Sequence, residues 1–217
     1  MSQHPNIINL VDLFESSEYF YIILDYMAGK DLYAYIEAYN FDLGENRVCE
    51  LIYQILLGLQ YLNSYGIVHR DLKLDNIMMT DISSQAVPKL VDFGLSKMIG
   101  PNERATEPFG TLGYVAPEIL LNSPYTSNCD LWSVGCIMYA LISSSLPFDS
   151  EDRKELVKMT CEDPIYLEEP QWETITDAGK DLVNRLLIKD PEERITLDEV
   201  LTHPWFNKVR FNYANNE

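Results

Sequence analysis

The sequence predicts an α+β fold in which a short strand-rich start leads into a large helical body. Three observations predict it. Two runs rich in β-branched and aromatic residues lie within the first 25 residues, one long amphipathic stretch follows, and nearly everything after residue 119 carries helical patterning. The 217 residues, 47% of them apolar, are enough for one domain, or most of one, with a sizeable core.

Residues 7–14 and 19–25 read as two strands, with Ser16-Ser17-Glu18 as the turn between them. Gly29 breaks the second strand, and Asp31 caps a short helix running to about Tyr39. The clearest helix spans about Glu45 to Ser64. Val48, Leu51, Ile52, Ile55, Leu56, Leu59 and Leu62 step by threes and ones, which lays them along one face. Gly66 ends it. Ile77 to Met79 and Lys89 to Val91 are short apolar runs expected as strands. Further helices are expected at roughly 119–121, 128–144, 152–161, 177–188 and 196–202.

Composition excludes several classes. No run of 18 apolar residues exists, so no helical membrane span is expected. The opening MSQHPNIINL lacks the basic-then-apolar order of a secretory signal. Cys49, Cys129, Cys136 and Cys161 form no C-x-x-C pair, so reduced, mostly buried thiols in a cytoplasmic or nuclear protein are expected. Sixteen basic against 34 acidic residues give a net charge of −18. Such a surface repels nucleic acid and anionic lipid and favours basic peptides, although charge alone also serves solubility.

The chemistry-bearing residues follow the long helix. His69-Arg70-Asp71-Leu72-Lys73-Leu74-Asp75-Asn76 packs an acid, a lysine and an amide into one short run. Sixteen residues beyond Asn76 comes Asp92-Phe93-Gly94, and further on Ala116-Pro117-Glu118. Each is a weak signal alone, since surface Asp and Lys are usually only solvated and Phe93 could simply fill the core. In this order they are a strong one. The set resembles the protein kinase family over essentially the whole chain, from the last strands of the small lobe through the large lobe.

That resemblance implies roles. Phosphoryl transfer needs positioning and charge neutralisation more than covalent chemistry. Asp71 would orient the substrate hydroxyl and accept its proton, and Lys73 would neutralise the transferring phosphate of ATP. Asn76 and Asp92 are hard oxygen ligands suited to Mg²⁺, and Gly94 would permit the turn that aims Asp92. Thr111 would bond both Asp71 and Lys73. Leu24-Asp25-Tyr26-Met27 resembles the hinge whose backbone binds adenine, Asp31 would meet the ribose, and Met78 with Leu32 would lie under the adenine ring. Leu10, His69 and Phe93 would stack as a spine anchored by Asp130, and Arg194 would pair with Glu118. The implied bounds are a partial kinase domain at 1–206, with a small-lobe remnant at 1–26 and the large lobe at 27–206, then a tail at 207–217.

Lys73, together with Gly110-Thr111 ahead of Ala116, resembles the Ser/Thr type. Asp92 to Lys97, Gly110 to Leu120, Cys129 to Gly135, Leu146-Pro147-Phe148 and Pro170-Gln171-Trp172 resemble the calcium/calmodulin-dependent and calcium-dependent kinases. Protein or peptide substrates with basic residues near the target are expected, Asp31 and Asp75 being candidates to read an arginine. No calcium-binding loop motif occurs, so any calcium sensor lies outside these residues. Many family members carry a phosphothreonine four residues before the position of Thr111. Here that position is Glu107, which could face Arg70 and Lys97 without a phosphate.

One wall of the family's ATP site is not among these residues. They hold no G-x-G-x-x-G loop and no lysine ahead of Lys30. Two isolated strands would leave unpaired edges and an apolar face, so residues 1–25 are expected to be poorly ordered or to borrow a partner. Two functions stand: an ATP- and Mg²⁺-dependent Ser/Thr kinase, and a non-catalytic large-lobe module that scaffolds or docks.

Overall fold

The computed structural model describes residues 4–168 and 170–214. Strands β1 (Leu10–Glu15) and β2 (Phe20–Leu24) form an antiparallel hairpin with a register shift between Leu10 and Asp12. Helices α1 (Leu32–Ala38) and α2 (Gly44–Ser64) follow. Four short strands then make two antiparallel pairs: β3 (Ile67–Val68) with β6 (Lys97–Met98), and β4 (Ile77–Met79) with β5 (Pro88–Leu90). The rest is helical: α3 (Pro117–Leu120), α4 (Asn128–Ser143), α5 (Arg153–Glu162), α6 (Pro170–Glu173), α7 (Asp177–Leu186), α8 (Leu197–Leu201) and α9 (Asn207–Ala214).

The core is built on α2 and α4, which pack against each other. The apolar stripe of α2 is buried throughout, from Val48 to Leu62. α4 is buried on every side from Cys129 to Ser143, which is why its sequence is apolar all round rather than on one stripe. Around it lie α6, α7 and Phe148, which stacks on Trp132 of α4. Cys49, Cys129 and Cys136 are buried free thiols, and Cys161 is partly buried. Burial pushes the Cys49 and Cys136 thiols up to about 12, so neither offers a thiolate.

The caps follow the side chains. Asp31 accepts the Ala34 N–H at 2.8 Å to start α1, and Gly66 at φ 68° leaves α2. Thr196 and Glu199 form a reciprocal capping box on α8.

Three expectations need correction. The first strand starts at Leu10 and not at residue 7. The preceding stretch leaves the hairpin to dock on the body, with the Ile8 N–H on the Leu90 carbonyl at 3.0 Å and Asn6 Nδ2 on Gln54 and Pro88. Gly29 does not end β2, which stops five residues earlier. It is buried against Asp81, whose carbonyl oxygen would lie 2.1 Å from an added Cβ, and close approach is its reason. Val91 lies outside β5 because its carbonyl goes to His69 and not back to Asn76, whose N–H turns to the Lys73 carbonyl.

The hairpin itself has little cover. Every residue of β2 is exposed, with Phe20 at 68% and Ile22 at 62%. β2 is apolar without alternation, the composition of a strand covered on both faces.

Candidate active site

The loop between β3 and β4 is hung from α4. Asp130 Oδ2 accepts the His69 N–H at 2.8 Å and Oδ1 the Arg70 N–H at 2.9 Å. Asp130 is 4% exposed, and burial pushes its carboxyl up from the ordinary value against the opposing pull of these donors. The two bonds hold Arg70 at φ 69°, a left-handed conformation that costs on the order of 1–3 kcal/mol and survives because its surroundings over-determine it. His69 is fully buried, bonds the Val91 carbonyl at 2.9 Å and packs on the Phe93 ring at 5.2 Å. This joins the loop to Asp92-Phe93-Gly94. Leu10 lies at the base of the hairpin, paired with Leu24.

Asp71 sits next to that strained arginine and collects donors. Thr111 Oγ1–H donates to its Oδ1 at 2.6 Å, and Asn76 Nδ2 donates to its Oδ2 at 3.0 Å and its carbonyl at 2.8 Å. Lys73 Nζ lies 3.4 Å from Oδ2 and donates to Thr111 Oγ1 at 2.9 Å. Thr111, far along the chain, thus closes a ring with Asp71 and Lys73. Both amide hydrogens of Asn76 go to Asp71, which leaves its carbonyl oxygen as the atom able to take a cation. Asp92 is exposed, and its Oδ1 accepts the Gly94 N–H at 3.2 Å. Among the described residues no cluster of three or more His, Cys, Asp or Glu stands ready for a metal. Asn76 and Asp92 offer oxygen donors of the kind Mg²⁺ takes, an ion that uses few protein ligands and keeps water and phosphate for the rest.

The expected role of Gly94 changes. The left-handed residue in this turn is Asp92 itself, at φ 57°. A Cβ at Gly94 would come within 3.1 Å of Asp92 Oδ1, so glycine here makes room for the carboxylate rather than bending the chain. Leu32 is fully buried and offers no surface to a ring, whereas Met78 is partly exposed and bridges to Asp31. Asp31 already uses one carboxylate oxygen as the α1 cap. Asp25 and Met27 lie on the connection from β2 to α1.

The segment from Leu95 to Thr111 is tied back to Arg70. Arg70 Nε–H donates to the Leu95 carbonyl at 2.5 Å, and Nη1 reaches Glu107 Oε2 at 3.5 Å. Lys97 Nζ bonds the other Glu107 oxygen at 2.5 Å. That bond, with backbone donors behind it, holds the Glu107 carboxyl down at about 2. Below this segment Arg194 grips Glu118 through two parallel bonds of 2.8 Å, with side chains 0% and 3% exposed.

Residues 1–206 match the model of the protein kinase domain. The chain belongs to the protein kinase family. It is similar to a probable myosin light chain kinase of Dictyostelium discoideum, 37% identical over 205 residues that cover 94% of this chain and 52% of that protein. It is also similar to a probable serine/threonine-protein kinase, fhkD, of the same organism, 37% identical over 219 residues covering 94% of this chain and 29% of that one. The chain spans about half the length of the first relative and under a third of the second.

Sequence reasoning passed over one residue of this kinase site. Tyr125, 2% exposed, places its hydroxyl between Arg70 Nη1 at 3.2 Å and the Glu107 carbonyl at 2.8 Å. Its partners lie 55 and 18 positions away, and no local pattern marks it. Outside the site, Lys189 donates to the Thr160 carbonyl at 2.6 Å over the Phe148 ring, and burial lowers it to about 8.

Proposed function

We propose that these residues form the phosphotransfer part of an ATP-dependent protein serine/threonine kinase whose substrates carry basic residues near the target hydroxyl. The observation that carries this reading is the closed ring of Asp71, Thr111 and Lys73, with Thr111 Oγ1 2.6 Å from the acid and 2.9 Å from the ammonium. Asp71 accepts the substrate hydroxyl's proton. Thr111 and Asn76 fix the carboxylate's orientation before substrate arrives, so no reorganisation is needed at the moment of transfer. Lys73 places a positive charge beside Asp71, where the transferring group must pass. Asn76 and Asp92 would hold Mg²⁺, the Asp25–Met27 backbone and Met78 would receive the adenine, and Asp31 the ribose. When bound, Mg-ATP supplies the phosphoryl group and neutralises its charge.

The same reading gives Glu107 the place of a loop phosphate. Its carboxylate meets both Arg70 and Lys97, so the loop needs no phosphorylation at this position. Thr106 already lends its N–H to Glu107 Oε2 at 3.3 Å. A phosphate added at Thr106 would find these cations engaged, and activation by it would overturn the assignment.

A second reading is a binding module without transfer. It is favoured by the exposed apolar surface of the hairpin, which a partner could cover. One assay separates the two: the chain with Mg-ATP and a basic Ser-containing peptide, against Asp92→Asn. Transfer that is lost in the variant supports the enzyme. Neither transfer nor stabilisation by Mg-ATP supports the module.

A further inference from the structure

We propose that Tyr125 is a positioning residue that latches the segment carrying Glu107 to the catalytic loop. The proposal rests on the kinase reading above for its catalytic consequence, but not for the latch itself. Tyr125 engages the segment twice. Its backbone exchanges two hydrogen bonds with Ala105, each 2.9 Å, forming an isolated antiparallel bridge. Its phenol donates to the Glu107 carbonyl at 2.8 Å and accepts from Arg70 Nη1 at 3.2 Å. The oxygen therefore acts as donor and acceptor at once, which only the protonated phenol can do. Burial raises its pKa above the ordinary value and keeps the proton in place.

Arg70 is the other half of the device. Its N–H is held by Asp130, its Nε–H holds Leu95, its Nη1 reaches both Glu107 and Tyr125, and its plane covers the Phe109 ring at 5.1 Å. Asp71 is the next residue. Disorder between Leu95 and Phe109 thus reaches the general base through one side chain, and Tyr125 is the buried contact that couples them. Glu107 holds the same segment from its partly exposed side. Loss of the hydroxyl leaves Arg70 with fewer acceptors and the Glu107 carbonyl without this donor. Loss of the carboxylate removes the ion pairs.

Tyr125→Phe keeps the ring and removes the hydroxyl. The first readout does not depend on activity: trypsin cleavage after Arg104, an exposed residue just ahead of Ala105. Losing these bonds is expected to raise the native-state cleavage rate about three- to tenfold. The second readout is coupling. In a Glu107→Gln background the same change should have a smaller effect, because Arg70 and the segment are already loosened. The third is kinetic: kcat for peptide phosphorylation should fall about three- to tenfold while KM for ATP stays within about twofold. An unchanged cleavage rate, or effects of the two substitutions that simply multiply, would overturn the latch. Faster cleavage with unchanged kcat would overturn its positioning role. A wild-type chain that transfers no phosphate would count against the kinase reading of these residues, while the cleavage and coupling results would still decide the latch.

Discussion

Lys73 carries the sharpest consequence for a single side chain. It donates to Thr111 and stands 3.4 Å from Asp71 without touching any other acid described here. Lys73→Ala should reduce kcat by about a hundredfold, in the range found when one electrostatic stabiliser is removed, while leaving the unfolding midpoint nearly unchanged; equal rates for the two proteins would contradict its role. Glu107 gives a pH signature. Its folded-state pKa of about 2 lies below the ordinary 4.5 because Lys97 donates to it. Its contribution is therefore fully present above pH 4.5 and is lost as pH falls toward about 2. Loop protection from trypsin should be flat from pH 5.5 to 8, whereas a phosphate, with a second pKa near 6, would weaken across that window. A step near pH 6 in the unphosphorylated protein would count against the assignment. Asp71, Lys73 and Asn76, which the fold gathers with Thr111, could be picked out because they sit in one short run; Asp92 was proposed from a distinctive triplet, and its carboxylate meets the Gly94 N–H. Tyr125 was not, because its meaning lies in a fold that brings residues 70, 107 and 125 together.

Elements were legible where one physical signal dominated. α2 could be placed because its stripe of seven apolar residues has a single period. β3 and β6 are two-residue pairs, too short to leave a periodic trace. α9 begins directly after the turn at Pro204–Phe206, and neither a cap nor an apolar stripe announces it. The Gly94 expectation failed for a local reason: Asp92 tolerates the left-handed region, so the turn did not require a glycine for its bend. Two element-scale outcomes follow. Removing one partner of the buried Glu118–Arg194 pair leaves a charge uncompensated, so Glu118→Ala should lower unfolding stability by about 3–5 kcal/mol in a urea titration. A loss below about 1 kcal/mol would show the pair to be dispensable. The hairpin should behave as exposed apolar surface. Phe20→Ser with Ile22→Ser should cut binding of a hydrophobic dye and slow aggregation without shifting the melting of the helical body, since neither side chain enters the core. Unchanged dye binding would mean that something covers β2 in solution.

At the scale of the whole molecule, a chain of acidic composition builds a core organised on α4, from which the loop carrying Asp71 hangs by Asp130 and below which Arg194 holds Glu118. No helix among the described residues is long and apolar enough to cross a membrane. The proposed preference for basic peptides rests on the net charge of −18, and it predicts that KM for such a peptide rises severalfold between low and roughly 0.5 M salt as the attraction is screened; a salt-independent KM would mean that charge serves only solubility. The family and the helical body followed from motif order and periodicity. The way the segment after Asp92 is fastened to the body did not, because its bonds join residues that are distant in the chain. The central claim is that the ring of Asp71, Thr111 and Lys73 transfers phosphate to an aliphatic hydroxyl. Its most direct test is the rate of transfer from labelled Mg-ATP to matched Ser and Tyr peptides by the chain and by Asp71→Ala. The account predicts transfer to the Ser peptide alone, falling at least about a hundredfold in the variant; transfer that survives Asp71→Ala undiminished, or equal transfer to the Tyr peptide, would contradict it.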